Sequence, residues 1–173
     1  MEYCYKYPRP ALTADSVVLA SVAEVWSVLL IERGNEPFRG HWALPGGFMQ
    51  MNETLEECAM RELKEETNVE VSSLRQVGCF SDVDRDPRER VVTVAFYVFV
   101  DNRELQVRAG DDAAMARWYP LDCLPKLAFD HKKILKATLE KIKEDFSQDS
   151  RKKEVFHLIT RAEIENLLSM ALL

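Results

Sequence analysis

The sequence predicts an α/β (α+β) domain, and three observations carry that reading. Leu12 to Val22, Val25 to Ile31 and Val91 to Val100 are rich in β-branched and apolar side chains and read as strands. Two stretches, Asn52 to Val69 and His131 to Ile142, instead repeat apolar residues at spacings of three and four, the period of a helix buried on one face. Strands and helices alternate along 173 residues, a length that suits one domain with a substantial core.

In chain order, Met1 to Pro10 alternates Tyr3, Tyr5 and Tyr7 before Pro8 and Pro10, as an edge strand or an arm on a partner subunit would. Two strands follow, with Glu24 at the break between them. Glu32 to His41 is a loop made locally positive by Arg33, Arg39 and His41, either solvated or reaching a phosphate or ribose. Pro45-Gly46-Gly47 then offers a fixed φ followed by two residues free to bring backbone close to a ligand. Asn52 is the expected cap of a helix whose first turn carries Glu53 and Glu56. Leu55, Cys58, Ala59 and Leu63 form its core stripe. Glu62, Glu65 and Glu66 form an acidic one, with like charges at spacings that repel. An ordinary solvated helix also carries such a run, but beside the double-glycine turn it suits a divalent cation, Mg²⁺ or Mn²⁺, held by carboxylates and substrate phosphates.

Glu70 to Phe80 reads as a strand or strand pair, and Ser81 to Arg90 as a polar loop. In that loop Asp82, Asp84, Asp86 and Glu89 are candidate carboxylates facing a metal and bound phosphates. Arg85, Arg88 and Arg90 are candidates to neutralise phosphate charge. A turn at Asp101 and Asn102 is expected to lead to a short strand, Glu104 to Val107. Ala109 to Leu121 reads as a loop or short helical start before an apolar Trp118-Tyr119-Pro120, with Trp118 in the core. Asp130 is placed to cap the helix from His131, a histidine without metal-ligand companions that is free to touch substrate. Beyond a connector at Ser147 to Lys153, Thr160 with Glu163 forms a capping box for a last helix with one apolar face. The domain division is therefore 1–145, with 146–173 a helical extension packed on the domain or on a partner subunit.

The formal charge of −6, with acid and base nearly balanced in most segments, argues against a nucleic-acid surface and leaves phosphate-rich small ligands compatible with local clusters of cations. Cys4, Cys58, Cys79 and Cys123 are scattered without CxxC spacing, as thiols of a reducing compartment are. With no basic-then-apolar leader and no run long enough to span a bilayer, the expectation is a soluble, cytoplasmic protein without membrane partners.

Gly47, Glu53, Arg61, Glu62, Leu63, Glu65, Glu66 and Val69 reproduce the spacing of the Nudix box, with Asn68 standing where that family usually has glycine. Asparagine tolerates the left-handed conformation well and touches no expected ligand. From Tyr7 to Ile142 the chain resembles the Nudix branch of ADP-ribose pyrophosphatases and of related regulators of NAD metabolism genes, through YPRPALTADSVVL, WALPGGF, DRDPRERVVTVAF and LAFDHKKIL. Phe156 to Leu168 is faintly similar to the start of those regulators' winged helix-turn-helix, but the chain is expected to be too short for a DNA reader.

The resemblance implies a mixed β-sheet sandwiched between helices. It implies metal ligation by Glu62, Glu65, Glu66 and the Gly47 carbonyl, with Arg61 chiefly structural on Glu53 or another box carboxylate. Arg33, Arg39, Arg85, Arg88 and Phe48 are the candidate substrate contacts; Phe38, Trp42, Phe48 and Phe80 suit either stacking on an adenine or packing under the sheet, with core packing the default for any one of them. The implied reaction is Mg²⁺- or Mn²⁺-dependent hydrolysis of a small nucleotide substrate, ADP-ribose to AMP and ribose 5-phosphate; a homodimer is expected separately, from the tyrosine-rich arm and the last helix. Alternatives are another nucleoside diphosphate derivative, a damaged nucleoside triphosphate, or an ADP-ribose sensor that does not turn its ligand over. The general base is left open between Glu65, Glu66 and an acid of the 82–89 loop.

Overall fold

The computed structural model describes residues 5–101, 113–148 and 165–167. Among the described residues are seven strands and two long helices: β1 (Ala11–Val22), β2 (Val25–Arg33), β3 (Trp42–Ala43), β4 (Gly46–Phe48), α1 (Leu55–Thr67), β5 (Arg75–Phe80), β6 (Val91–Phe99), β7 (Ala113–Pro120) and α2 (His131–Gln148). The strands form one sheet in the order β3-β2-β1-β6-β5, with β4 added to β1 and β7 to β2. Among the described strands only β1 and β6 pair in parallel, from Ala11 opposite Val91 to Leu19 opposite Phe99, so the sheet is mixed as expected. β1 and β2 meet at a tight turn in which Ala23 and Glu24 both take positive φ, 49° and 66°.

Alternation along β1 separates the two faces of the sheet. Val17 and Leu19 pack with Ile134, Leu135, Leu139 and Ile142 of α2. On the other face Ala14 packs with Cys58 and Ala59, and Val18 with Leu63 and Val69, beneath α1. Each such Val, Leu or Ile side chain, taken wholly out of water, contributes about 1.5–3 kcal/mol before chain entropy is set against it. Thr13 and Asp15 share the parity of Val17 and lie just beyond the end of the apolar α2 face, where buried polar groups replace methyls.

Several expectations change. The cap of α1 is Thr54, not Asn52: its hydroxyl accepts the Glu57 amide while Glu57 accepts the Thr54 amide, a capping box that places Glu53 ahead of the helix. At the other end Asn68 takes the left-handed conformation, φ 60°, where a glycine would be free of strain. Glu70 to Phe80 contains one strand, because Val71 and Leu74 pack into the α1 side of the core before β5 begins. Of the segment read as a loop or helical start before Trp118, the part from Ala113 is strand β7, paired antiparallel to β2 through Leu29 opposite Trp118 and Leu30 opposite Arg117. Trp118 packs against the α1-side cluster, as expected. Residues 5–10 form no strand. The turn after Asp101, the 104–107 strand and most of the last helix lie outside the described residues. Residues 165–167 are helical, with Leu167 buried in the α2-side core. No helix among the described residues is long and apolar enough to cross a membrane.

Candidate active site

The double glycine read as a turn is instead strand β4, and its pairing with β1 brings the acidic stripe of α1 against the end of the sheet. Gly46 and Gly47 pair with Asp15 and Ala14 of β1, and the Gly46 amide donates to Glu66 Oε2 at 2.9 Å. At each glycine a Cβ would meet a neighbouring group. A methyl on Gly46 would overlap the Ala14 carbonyl oxygen and the Asp15 backbone; one on Gly47 would stand 2.5–2.6 Å from the Glu62 carboxylate atoms. The Gly47 carbonyl accepts from Cys58 Sγ at 3.7 Å.

Arg61 organises the acids. Its Nε and Nη2 donate to both Glu53 oxygens (2.9 and 2.7 Å), and its Nη1 to Glu62 Oε1 (2.7 Å) and Glu65 Oε2 (3.0 Å). Nη2 also reaches the Phe48 carbonyl at 3.2 Å. Among the described residues no group of three or more acidic, histidine or cysteine side chains stands ready around a metal position. The Arg61 guanidinium draws Glu62 and Glu65 to itself. The hydrogen bonds from Arg61 hold the Glu53 carboxyl down to about 2. Burial pushes Glu62 upward and Glu66 up to about 8, the latter reinforced by Glu62 and Asp15. Hard oxygen donors, partly buried and crowded by like charge beside a cradle with no Cβ, fit Mg²⁺ or Mn²⁺.

Beside the acids opens a cavity of about 150 Å³, lined among others by Arg33, Arg88, Phe48 and Phe129, with Asp15, Arg85 and His131 at its buried floor. Arg85 forms a two-pronged pair with Asp130 (3.1 and 2.8 Å) and approaches Asp15 at 3.8 Å. The Asp130 carboxylate thus holds Arg85 at the start of α2. His131 Nδ1 accepts the Leu44 amide at 2.9 Å, which leaves the ring proton on Nε2, 3.9 Å from Asp15 Oδ1. Burial lowers the His131 pKa and keeps the ring neutral. Thr93 donates to Asp15 Oδ2 at 2.7 Å. Thr13 Oγ1, also on the cavity lining, is the one buried side-chain polar atom among the described residues without a partner.

Arg33 donates through Nε to the Pro37 carbonyl (2.8 Å) and lies over the Phe129 ring at 4.8 Å. Arg88 is paired with Asp86 (3.0 and 2.7 Å) and lies over Phe48 at 5.2 Å and Phe129 at 5.6 Å. Two cations close to one ring oppose each other, and burial together with Arg88 lowers the Arg33 pKa. Arg39 is exposed and lines neither this cavity nor the open groove beside it. In the 82–89 loop Asp86 faces the cavity but is tied to Arg88, while Asp82 pairs with Lys133 at 2.5 Å on the outside.

A family model, the NUDIX domain, matches residues 10–138. The chain belongs to the Nudix family. An ADP-ribose pyrophosphatase of Methanocaldococcus jannaschii is 45% identical over 130 residues, which are 75% of this chain and 73% of that protein. Among solved structures, the NUDIX domain of Shewanella oneidensis NrtR complexed with ADP ribose is 30% identical with a TM-score of 0.73, over 79% of this chain and 90% of that one. A bifunctional NMN adenylyltransferase/ADP ribose pyrophosphatase from Francisella tularensis, complexed with AMP and a Mn ion, is 26% identical with a TM-score of 0.70, over 79% of this chain and 43% of that one. The Nudix box is thus the α1 segment with the preceding strand β4, and Asp15, Phe129 and the buried role of His131 are the site features that sequence reasoning did not assign. A signal for Asp15 existed: it is an acid inside an otherwise apolar strand.

Proposed function

We propose that the protein is a Nudix pyrophosphohydrolase that uses Mg²⁺ or Mn²⁺ to split ADP-ribose into AMP and ribose 5-phosphate. The observation that carries this reading is the junction of the Glu62, Glu65 and Glu66 stripe with a cavity bearing Arg33 and Arg88. The likeness to an ADP-ribose pyrophosphatase at 45% identity supports the choice of substrate.

Glu62, Glu65 and Glu66, with the Gly47 carbonyl, would hold the cation, and Arg61 would keep Glu53 when it releases the other two acids. Bound there, the cation supplies positive charge that offsets the phosphate oxygens and eases loss of a proton from water. Arg33 and Arg88 bind the pyrophosphate, Phe48 packs beside it, and Arg85 holds the floor, whereas Arg39, exposed and off the cavity lining, takes no part in this site. Water attacks one phosphorus and the bridging oxygen leaves with the other. Of the two α1 candidates for proton acceptor, Glu65 is exposed and bonded to Arg61, whereas Glu66 is half-buried and accepts the Gly46 amide.

The protein is further read as a cytoplasmic homodimer with no nucleic-acid partner. Exposed Tyr5 and Tyr7 support an interfacial arm, and the free thiols of Cys58, Cys79 and Cys123 support a reducing compartment.

The test is product formation from ADP-ribose, other nucleoside diphosphate sugars, NADH and nucleoside triphosphates with Mg²⁺ or Mn²⁺, with both products detected by mass. AMP plus ribose 5-phosphate, formed fastest from ADP-ribose and abolished by chelation, is the expected result. Glu65→Gln and Glu66→Gln should each stay folded and lose at least about 100-fold in turnover, the scale set by removing one charge-stabilising group. Near-normal activity in both variants would exclude the mechanism. Binding of ADP-ribose without turnover would move the reading to a sensor.

A further inference from the structure

Phe129 sits immediately before α2 in the left-handed region, φ 49°, a conformation that a bulky side chain rarely adopts. Neighbouring bonds impose it: the Ala128 amide donates to the Trp42 carbonyl at 2.8 Å, the His131 amide to the Ala128 carbonyl at 3.2 Å, and the His131 ring accepts from Leu44. The ring so placed meets Phe38 edge-on, with centroids 4.8 Å apart, and carries Arg33 on its face at 4.8 Å with Arg88 beside it at 5.6 Å. No described residue hydrogen bonds to the two terminal nitrogens of Arg33, since only its Nε is engaged, by Pro37. A guanidinium gripped at one edge and stacked on a fixed ring presents its other edge in one orientation.

We propose that Phe129 is a positioning residue: its ring holds Arg33, with Arg88 alongside, in the orientation that takes the paired phosphates of a diphosphate ligand. This rests on the reading of the cavity as a pyrophosphate site and adds the group that sets its geometry. Arg33 supplies the open donor edge, Arg88 supplies charge while remaining tied to Asp86, and the ring keeps the two cations apart yet on one wall. Attraction between ring and cation offsets part of the repulsion between the arginines.

The test compares wild type with Phe129→Leu, which keeps apolar bulk but removes the aromatic face, and with Phe129→Tyr, which restores it. Equilibrium binding of inorganic pyrophosphate and steady-state hydrolysis of ADP-ribose are measured at matched ionic strength, after thermal melts establish that the variants are folded. Phe129→Leu should weaken pyrophosphate binding and raise KM roughly tenfold with kcat within about twofold, and Phe129→Tyr should restore both. In an Arg33→Lys background the Phe129→Leu effect should shrink to about twofold or less, because the flat cation that the ring positions is gone. Unchanged pyrophosphate affinity in Phe129→Leu, equal losses in the Leu and Tyr variants, or full additivity with Arg33→Lys would each overturn the assignment. A tenfold loss of pyrophosphate binding in a protein that does not cleave ADP-ribose would uphold the role of Phe129 and reject the substrate instead.

Discussion

Gly46 and Gly47 are adjacent, yet a methyl group on each would fail for a different reason. On Gly46 it meets main chain of β1, which cannot move without opening the β1–β4 pairing. On Gly47 it meets only the Glu62 carboxylate, the end of a flexible side chain. Gly46→Ala is therefore expected to lower stability by about 2–3 kcal/mol, in the range for strain in a packed site. Gly47→Ala should stay near wild-type stability and lose metal-dependent turnover by at least about 100-fold, because Glu62 is pushed from its place. Melts and turnover for the two variants check this, and equal stability loss in both would contradict it. Glu66 makes a second residue-scale prediction through its proton. Its carboxyl titrates near 4.5 ordinarily and at about 8 in the fold, where burial is the main cause. Between those values the native protein retains a proton that the unfolded chain has released. Without metal, this contribution to stability is full below about 4.5 and is lost as pH rises through about 8. A bound cation needs the carboxylate, so stabilisation by metal should grow across the same window. The gap in Tm between chelator and Mg²⁺ should thus widen from about pH 5 to about pH 8, and flatten in Glu66→Gln. A gap independent of pH in wild type would refute it.

At the scale of elements, α1 depends on its first turn. Thr54 and Glu57 satisfy each other's amides in a capping box, and this fixes where Glu62 and Glu66 fall relative to β4. Thr54→Ala should cost about 1 kcal/mol, read as a lower denaturation midpoint with unchanged m-value. Sequence spacing made this helix and its two stripes legible, since period alone decides which side chains share a face. It did not fix the cap: Asn52 and Thr54 are both good capping residues, and only the chain's entry from β4 selects between them. β7 was hidden for a related reason. Its strand character comes from pairing with β2, a partner far away in sequence, while its own residues, AAMARWYP, include helix formers. The acids, arginines and glycines of the site were readable because their residue types announce chemistry at short spacing. The floor was not readable: the Leu44–His131 bond spans 87 positions and the Arg85–Asp130 pair 45.

For the whole molecule, the open question is what the C-terminal segment covers. The family match ends at residue 138, yet Leu167 is 1% exposed and shares a cluster with Val17, Leu19, Ile134 and Ile142. A side chain in that position completes the α2 side of its own domain, whereas one serving a partner would stay exposed in the isolated chain. Leu167→Ala should consequently remove about 2–5 kcal/mol by lost transfer and residual cavity. For a domain of this size that is a fall in Tm of roughly 5–15 °C. KM for ADP-ribose at a temperature where the variant is still folded should not change, because Leu167 is absent from the cavity lining. The competing arrangement, in which the segment packs on a second subunit, predicts something else: dimer dissociation at higher protein concentration, with a Tm that depends on concentration. Melts at two widely separated concentrations, with sedimentation alongside, decide between them. A concentration-independent fall in Tm with unchanged sedimentation assigns the segment to its own domain.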